Sequence, residues 1–533
     1  MLFHTWPFAV FLLIVLPVFF ALQKTRLWLP WLTAASYFFY GWWNPYYLLL
    51  VAYSTLLDYA LVAFMDHCPR AGPAEKPGGR FSMRGLDDRL LRAAFVGAAA
   101  LAIGVLAAAL WGPATLRPAL LGAEVLILLM ALGALFGSRR IWLLVSLVNN
   151  LALLLFFKYA GFVVENLNAA FAACHLAVTL PDPSTLMPFG FAYLLPVGIS
   201  FFTFQSLSYT IDFYFGNVQR ERSLLRFATF VCFFPQLMAG PIERARHLLP
   251  QFRNFPKFQL QNLTDGASLF LVGLFKKLAL ANYLSMYVER VYEHPGTASA
   301  SALVLGTVAF GFQIYFDFSG YTDMARGLAR MMGFQLILNF SNPYLAVSLG
   351  EFWTRWHIGL SSWFRDYVYI PLGGNRFGKW LTYRNLLITF LISGAWHGSK
   401  WTFLIWGALH GIGIILTREL ERSAFYRDRV PTLLKQAGVF AFVSFTWIFF
   451  RADTLSDVLL IIRRIATAGW GSPNIPVLMV LLTAAVWGYA FLYESRLRRI
   501  LATGFVRVTL AVAMILYICI CASGGGAFIY FQF

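Results

Sequence analysis

The sequence predicts an all-α polytopic membrane protein. Of its 533 residues, 59% are hydrophobic and only 12% are charged, where a soluble globular chain is nearer a quarter charged. The apolar residues come in long blocks, such as 8–22 and 477–492, and mean hydropathy is +0.66. Such a chain holds roughly eleven to fourteen spans, at about 20 residues per crossing. Some apolar stretches are short and broken by Gly or Pro, which predicts re-entrant segments among the spanning ones.

The N-terminal third reads as a plain ladder of helices, with candidate spans at 5–22, 28–41, 46–65, 93–111, 119–137 and 141–158. Residues 1–22 have neither a basic n-region nor a small-residue cleavage site, so they read as a first span and not as a signal peptide. The segment 66–92 is polar, basic and rich in Pro and Gly, the composition of a cytoplasmic loop. Alternation puts Lys24 with Arg26, and Arg139 with Arg140, on that same side. The N-terminus and the loop at 160–188 then lie outside. The net charge of +18 is the basic bias of cytoplasmic loops. No soluble basic face is present, which argues against a nucleic-acid partner. A basic cytoplasmic surface also suits an anionic donor or an acidic carrier protein. Cys68, Cys174, Cys232, Cys519 and Cys521 have no CxxC spacing and read as packing residues, not as a disulfide framework or a metal site.

From about residue 190 the texture changes. The run 194–216 mixes apolar residues with Pro196, Gly198, Gln205 and Asp212, and the next block sets Pro235, Gly240 and Pro241 beside charges. Such residues belong where backbone lines a cavity, so 190–400 is expected to be an irregular core between the simple spans of 1–160 and 401–533. The C-terminal third returns to plain helices near 401–418, 436–450, 474–492 and 505–522, some separated by basic stretches. There is no internal repeat, which weighs against a duplicated transporter.

Two histidines stand out in that core. His397 lies in the middle of the apolar run 385–404, between Trp396 and Gly398. An ionisable group at membrane depth is costly and marks a functional site by default, and imidazole is the usual general base near neutral pH. Small residues at 393–395, Ser393 among them, and Gly398 allow another element or a narrow substrate close to the backbone. A packing histidine fits the same pattern. His357 lies in a segment dense in aromatics. Read as one helix over 352–364, Trp353, His357, Leu360 and Phe364 share a face, and Trp356, Gly359 and Trp363 line another. Aromatic walls favour the neutral imidazole that a base requires; a histidine hydrogen-bonded for structure is the plainer account.

The block 316–327 holds Asp317, Tyr321, Asp323 and Arg326. Asp323 and Arg326 are spaced for an ion pair on one helix face, and the carboxylates are also candidates to orient a histidine. Lys276 and Lys277 sit deep in an apolar helix, where they either meet a donor phosphate or, the favoured reading, snorkel to the interface. There is no GxSxG elbow, Walker loop, HExxH or strand-borne GxGxxG, and no spaced set of metal ligands. Metal-free histidine chemistry on a thioester or ester fits what is left.

MAGPIERA (238–245), FDFSGYTDMARG (316–327), FWTRWHIGLSSWFRDYVYIPLGGNR (352–376), SGAWHG (393–398) and the closing FIYFQF (528–533), together with SYFFYGWWNPYYLLL (36–50), resemble the membrane-bound O-acyltransferases. The resemblance is to the alginate O-acetyltransferase branch, and it covers nearly the whole chain outside 66–92 and 113–140. It implies one membrane domain over 1–533: a ring of tilted helices around a thin core with a tunnel between the two faces. By similarity His397 matches the histidine the superfamily uses for catalysis, and His357 the second histidine of this branch. Trp353, Trp356, Trp396, Ser393, Asp317 and Tyr321 are the substrate-binding candidates. Thr354 stands where a basic residue is common, and Gly359 where a serine is common.

The resemblance further implies an O-acetyltransferase of the bacterial inner membrane that takes acetyl from acetyl-CoA or an acyl carrier protein, with no bound cofactor or metal. The acceptor would serve O-acetylation of an exported polysaccharide, through an SGNH-type periplasmic or membrane-anchored partner, with membrane lipids around the spans. Three other readings compete. They are a transporter or channel for an acyl donor, a lipid or protein acyltransferase of the same superfamily, and a scaffold whose histidines are structural.

Overall fold

The structure is a computed structural model, and it describes residues 1–68, 138–187, 193–501 and 503–521. The expected spans at 93–111 and 119–137, most of the 66–92 loop and the closing FIYFQF lie outside the described residues. The described residues are mostly helical and contain no strand, and seven of their helices are long and apolar enough to cross a membrane. The chain is an all-α polytopic membrane protein.

It divides into two compact units, one formed by 17–238 and 244–255, the other by 1–16, 239–243 and 256–533. Helix α1 (Trp6–Ala21) passes from one to the other at its internal Pro17. The 17–238 unit holds α2 (Trp28–Gly41), α3 (Tyr47–His67), α4 (Arg139–Ala173), α5 (Ile199–Tyr214) and the short α6 (Leu224–Cys232), α7 (Phe234–Leu237) and α8 (Ala245–Leu248). Helix α4 corrects the sequence expectation. It does not stop near 158 but runs 35 residues to Ala173, through about half of the expected 160–188 loop. Its second half has no proline before Pro181 and is rich in alanine, so nothing breaks it.

A buried carboxylate ties this unit together. Asp58 on α3 accepts from Ser146 Oγ at 2.6 Å, from Asn150 Nδ2 at 3.0 and 3.1 Å, and from Ser206 Oγ. Ser54 Oγ in turn donates to Asn150 Oδ1 at 3.0 Å. Three helices thus share one polar knot, and each buried polar group in it has a partner.

The second unit carries α9 (Leu260–Glu293), α10 (Ala300–Met331), α11 (Leu349–Arg355), α12 (Ile358–Phe364), α13 (Lys379–His397), α14 (Trp401–Leu420), α15 (Ala424–Arg429), α16 (Thr432–Arg451), α17 (Leu455–Thr467), α18 (Val477–Glu494), α19 (Arg498–Leu501) and α20 (Gly504–Cys521). The C-terminal helices fall close to where the sequence places them. The region 190–400 is less uniformly irregular than expected, because α9 and α10 run 34 and 32 residues. These two pack closely: a Cβ added at Gly266 would lie 2.7 Å from the Gly327 carbonyl, and one at Gly320 2.8 Å from the Gly273 carbonyl.

Just past that crossing α9 takes a π-helical turn over Lys276–Ala281. The turn carries the two lysines, and they do not snorkel outward as expected. Lys276 Nζ meets Asp323 at 2.7 Å and Lys277 Nζ meets Asp317 at 2.7 Å, both carboxylates on α10. The extra residue of a π turn re-aims side chains, and ion pairing offsets the desolvation of charges that would otherwise be stranded. Asp323 also pairs with Arg326 at 3.5 Å, the helix-face pair that its spacing predicts.

Candidate active site

The two histidines reach the interior by different backbone devices. Residues 352–364 are not the single helix that their periodicity suggests. α11 ends at Arg355, and α12 begins at Ile358. His357 between them is left-handed, with φ 42° and ψ 55°, so the face shared by Trp353, His357, Leu360 and Phe364 does not form. A non-glycine residue there costs about 1–2 kcal/mol, and such strain persists only where the surroundings fix it. The extended segment before α11 supplies that fixation. Ile358 N donates to the Asn339 carbonyl at 2.9 Å, Gly359 N to Asn339 Oδ1 at 3.0 Å, and Ser341 N to the Arg355 carbonyl at 2.9 Å. A Cβ on Gly359 would lie 3.1 Å from Ile242 N, so the MAGPIERA and FWTRWH motifs meet here.

His397 is the last residue of α13. The apolar run 385–404 is therefore two helices joined by an extended break at 398–400, not one span with a histidine in its middle. Gly394 makes this hairpin possible: a Cβ there would run into the Phe403 carbonyl, and one on Gly407 into the Phe390 carbonyl. The break is held by Lys400, whose Nζ meets Asp453 at 2.9 Å beyond α16. Hydrogen bonding from Lys400 holds the Asp453 carboxyl below the usual carboxylate range.

Both histidines are buried, His357 at 0% and His397 at 3% relative exposure. Aromatic rings link them. Trp396 lies 6.0 Å from the His357 ring and 4.9 Å from the His397 ring. Phe318 of α10 stands edge-on to His357 at 4.6 Å. Trp406 of α14 and Phe450 of α16 stand edge-on to His397 at 5.0 and 5.2 Å. Such walls keep charge out and leave imidazole as the polar group facing the interior.

The other sequence candidates divide. Trp353 reaches the cluster through Trp406, at 5.8 Å between rings. With Ser393, Phe390, Leu360 and Arg365 it lines a cavity of about 330 Å³. Trp356 packs behind His357, edge-on to Phe340 at 5.1 Å and stacked on Phe352 at 5.5 Å. Asp317 pairs with Lys277, and Tyr321 stacks on Phe3 at 4.6 Å. The described contact of Asp317 is thus a buried ion pair, and that of Tyr321 a ring stack. Trp406, Phe318, Phe450 and a third buried histidine, His410, were not singled out from the sequence. For His410 the signal was present, because it too is an isolated histidine in an apolar helix.

A family model described as MBOAT, membrane-bound O-acyltransferase family, matches residues 213–452, which contain both histidines. The chain is similar to the probable alginate O-acetylase AlgI of Pseudomonas putida, 43% identical over 59% of this chain and 62% of that protein. It is similar to the probable alginate O-acetylase AlgI of Pseudomonas aeruginosa, 36% identical over 84% of this chain and 72% of that protein. It is also similar to the peptidoglycan O-acetyltransferase of Helicobacter pylori, 32% identical over 74% of this chain and 83% of that protein. The match thus spans less than two thirds of the P. putida relative and more of the other two.

Proposed function

This chain belongs to the membrane-bound O-acyltransferase family, in its alginate O-acetylase-like branch, and from that premise we propose that it moves an acetyl group from a cytoplasmic thioester to an acceptor used to O-acetylate an exported polysaccharide. The observation that carries this reading is the pairing of two buried histidines across one indole, Trp396; Ser393, one turn before His397, and Ile358, next to His357, line a cavity of about 330 Å³.

In this reading His397 takes the proton of the acceptor hydroxyl as its oxygen attacks the thioester carbonyl. The carbon–sulfur bond then breaks, and the proton passes from His397 to the departing thiolate. His357, fixed by its strained backbone, donates a hydrogen bond to the acyl oxygen, where negative charge develops. The aromatic walls exclude water that would otherwise hydrolyse the thioester. The donor is acetyl-CoA or an acetylated carrier protein.

Charge supports an orientation. The α13–α14 hairpin and α16 have one basic end, with Arg376, Lys379, Arg418, Arg422, Arg427, Arg429 and Lys435. That end faces the cytoplasm by the positive-inside rule, and His397 at the other end of α13 is then set toward the exported side. We place the protein in the bacterial inner membrane, with an SGNH-type partner outside that hands acetyl on to the polymer. Alginate and peptidoglycan, named for the relatives, are the polymers to assay first. The test is the O-acetyl content of exported polysaccharide in a strain lacking this protein. Wild type restores it and His397→Ala, present at equal level in the membrane, does not. Restoration by His397→Ala would overturn the proposal.

A further inference from the structure

His410 lies on α14 one turn beyond Trp406 and is 0% exposed. Its hydrogen bonds define its state. Thr446 Oγ1 of α16 donates its one proton to the Val443 carbonyl at 2.8 Å and lies 3.0 Å from His410 Nε2. That nitrogen must therefore carry hydrogen and donate to the threonine. The indole Nε1–H of Trp353 donates to His410 Nδ1 at 3.3 Å, so Nδ1 is an acceptor. Both ring nitrogens are engaged, and the ring is a single neutral tautomer. A histidine so committed has no lone pair or proton to offer a substrate. Its consequence is geometric. It fixes the indole of Trp353 on the cavity wall and packs against Trp406 at 4.7 Å, and Trp406 is the indole standing edge-on to His397.

We propose that His410 is a positioning residue, which pins Trp353 by its Nδ1 and, with it, holds Trp406 as the fixed wall behind His397. It ties three helices at that point: α11 through Trp353, α14 through its own backbone, and α16 through Thr446. The kinetic part of this inference rests on the acyltransferase reading; the hydrogen-bond part does not.

Two conservative variants separate the ends of the ring. His410→Asn sets an amide oxygen where Nδ1 accepts from Trp353. His410→Gln sets an amide where Nε2 donates to Thr446 and loses the acceptor facing Trp353. In the detergent-purified protein, His410→Gln is expected to lower kcat on the order of 10- to 100-fold through misplacement of the wall. The donor KM should move by less than about threefold, as for an interaction that does not bind the ground state. His410→Asn should recover most of the rate, and Trp353→Phe with His410→Gln should be no slower than the worse single variant. The ultraviolet resonance Raman signature of a hydrogen-bonded indole N–H, assigned to Trp353 by difference from Trp353→Phe, should be lost in His410→Gln and kept in His410→Asn. That arm needs no turnover, so an inactive wild-type protein would count against the acyltransfer reading while the spectra still decide the role of His410. An unchanged indole signature in His410→Gln, a wild-type kcat in that variant, or multiplying losses in the double variant would each overturn the proposal.

Discussion

His357 and His397 show how differently a sequence can announce two residues of the same kind. His397 is visible as an ionisable group in an apolar run, and its neighbours Ser393, Gly394 and Trp396 signal close packing. The strain at His357 is not visible, because 352–364 has unbroken helical periodicity. The left-handed turn arises from hydrogen bonds to Asn339 and Ser341, more than a dozen residues earlier in the chain. Replacing His357 by glycine would relieve the backbone while removing the imidazole. The expected outcome is a net loss of about 1–3 kcal/mol of stability, the cavity left by a buried ring outweighing the relieved strain, with acetyl transfer reduced by about 10²-fold or more, the loss seen when one oxyanion donor is removed. Thermal unfolding and initial rates on the same preparation check it. The buried Lys277–Asp317 pair gives a second test at this scale. Asp317→Asn leaves an ammonium buried beside a neutral group, at a cost of about 3–5 kcal/mol. Adding Lys277→Met should recover most of the lost unfolding midpoint.

At the scale of elements, helix ends decide the site. α13 and α14 cross at Gly394 and Gly407, where each helix meets the other's carbonyl groups. Gly394→Ala forces them apart and is expected to cost about 1–3 kcal/mol as overpacking. It should also lower transfer, since His397 is carried at the end of the displaced helix. A midpoint within error of wild type, measured in detergent, would contradict the crossing. The Lys400–Asp453 tie makes the break after His397 sensitive to acid. The folded Asp453 carboxyl titrates below its unfolded value, so its contribution is present above the ordinary carboxylate range and is lost as pH falls through the lowered value. Lys400→Gln should remove that part of the acid dependence of the unfolding midpoint, a small effect because Asp453 is largely exposed. The small residues on the α13 side of the crossing, 393–395, were legible in the sequence, but Gly407 on α14 was not; nor was the turn back at 398–400, because Gly398 and Ser399 are weak breakers inside a hydrophobic stretch.

At the scale of the whole molecule, hydropathy carried most of the fold. α2, α3, α14, α16, α18 and α20 lie within a few residues of where apolar length alone puts them, because a bilayer leaves helices as the only open choice. The deviations have local causes: α4 overruns for want of a proline, and α9 holds a π turn where two lysines must turn inward to carboxylates. The central claim is that this membrane protein is an acyltransferase driven by His397. Its most direct test is thioester consumption by detergent-purified protein given acetyl-CoA or acetylated carrier, wild type against His397→Ala. The account predicts turnover in the wild type and a fall of at least about 10²–10⁴-fold in the variant, the contribution of a general base. Equal turnover by the two proteins would contradict it.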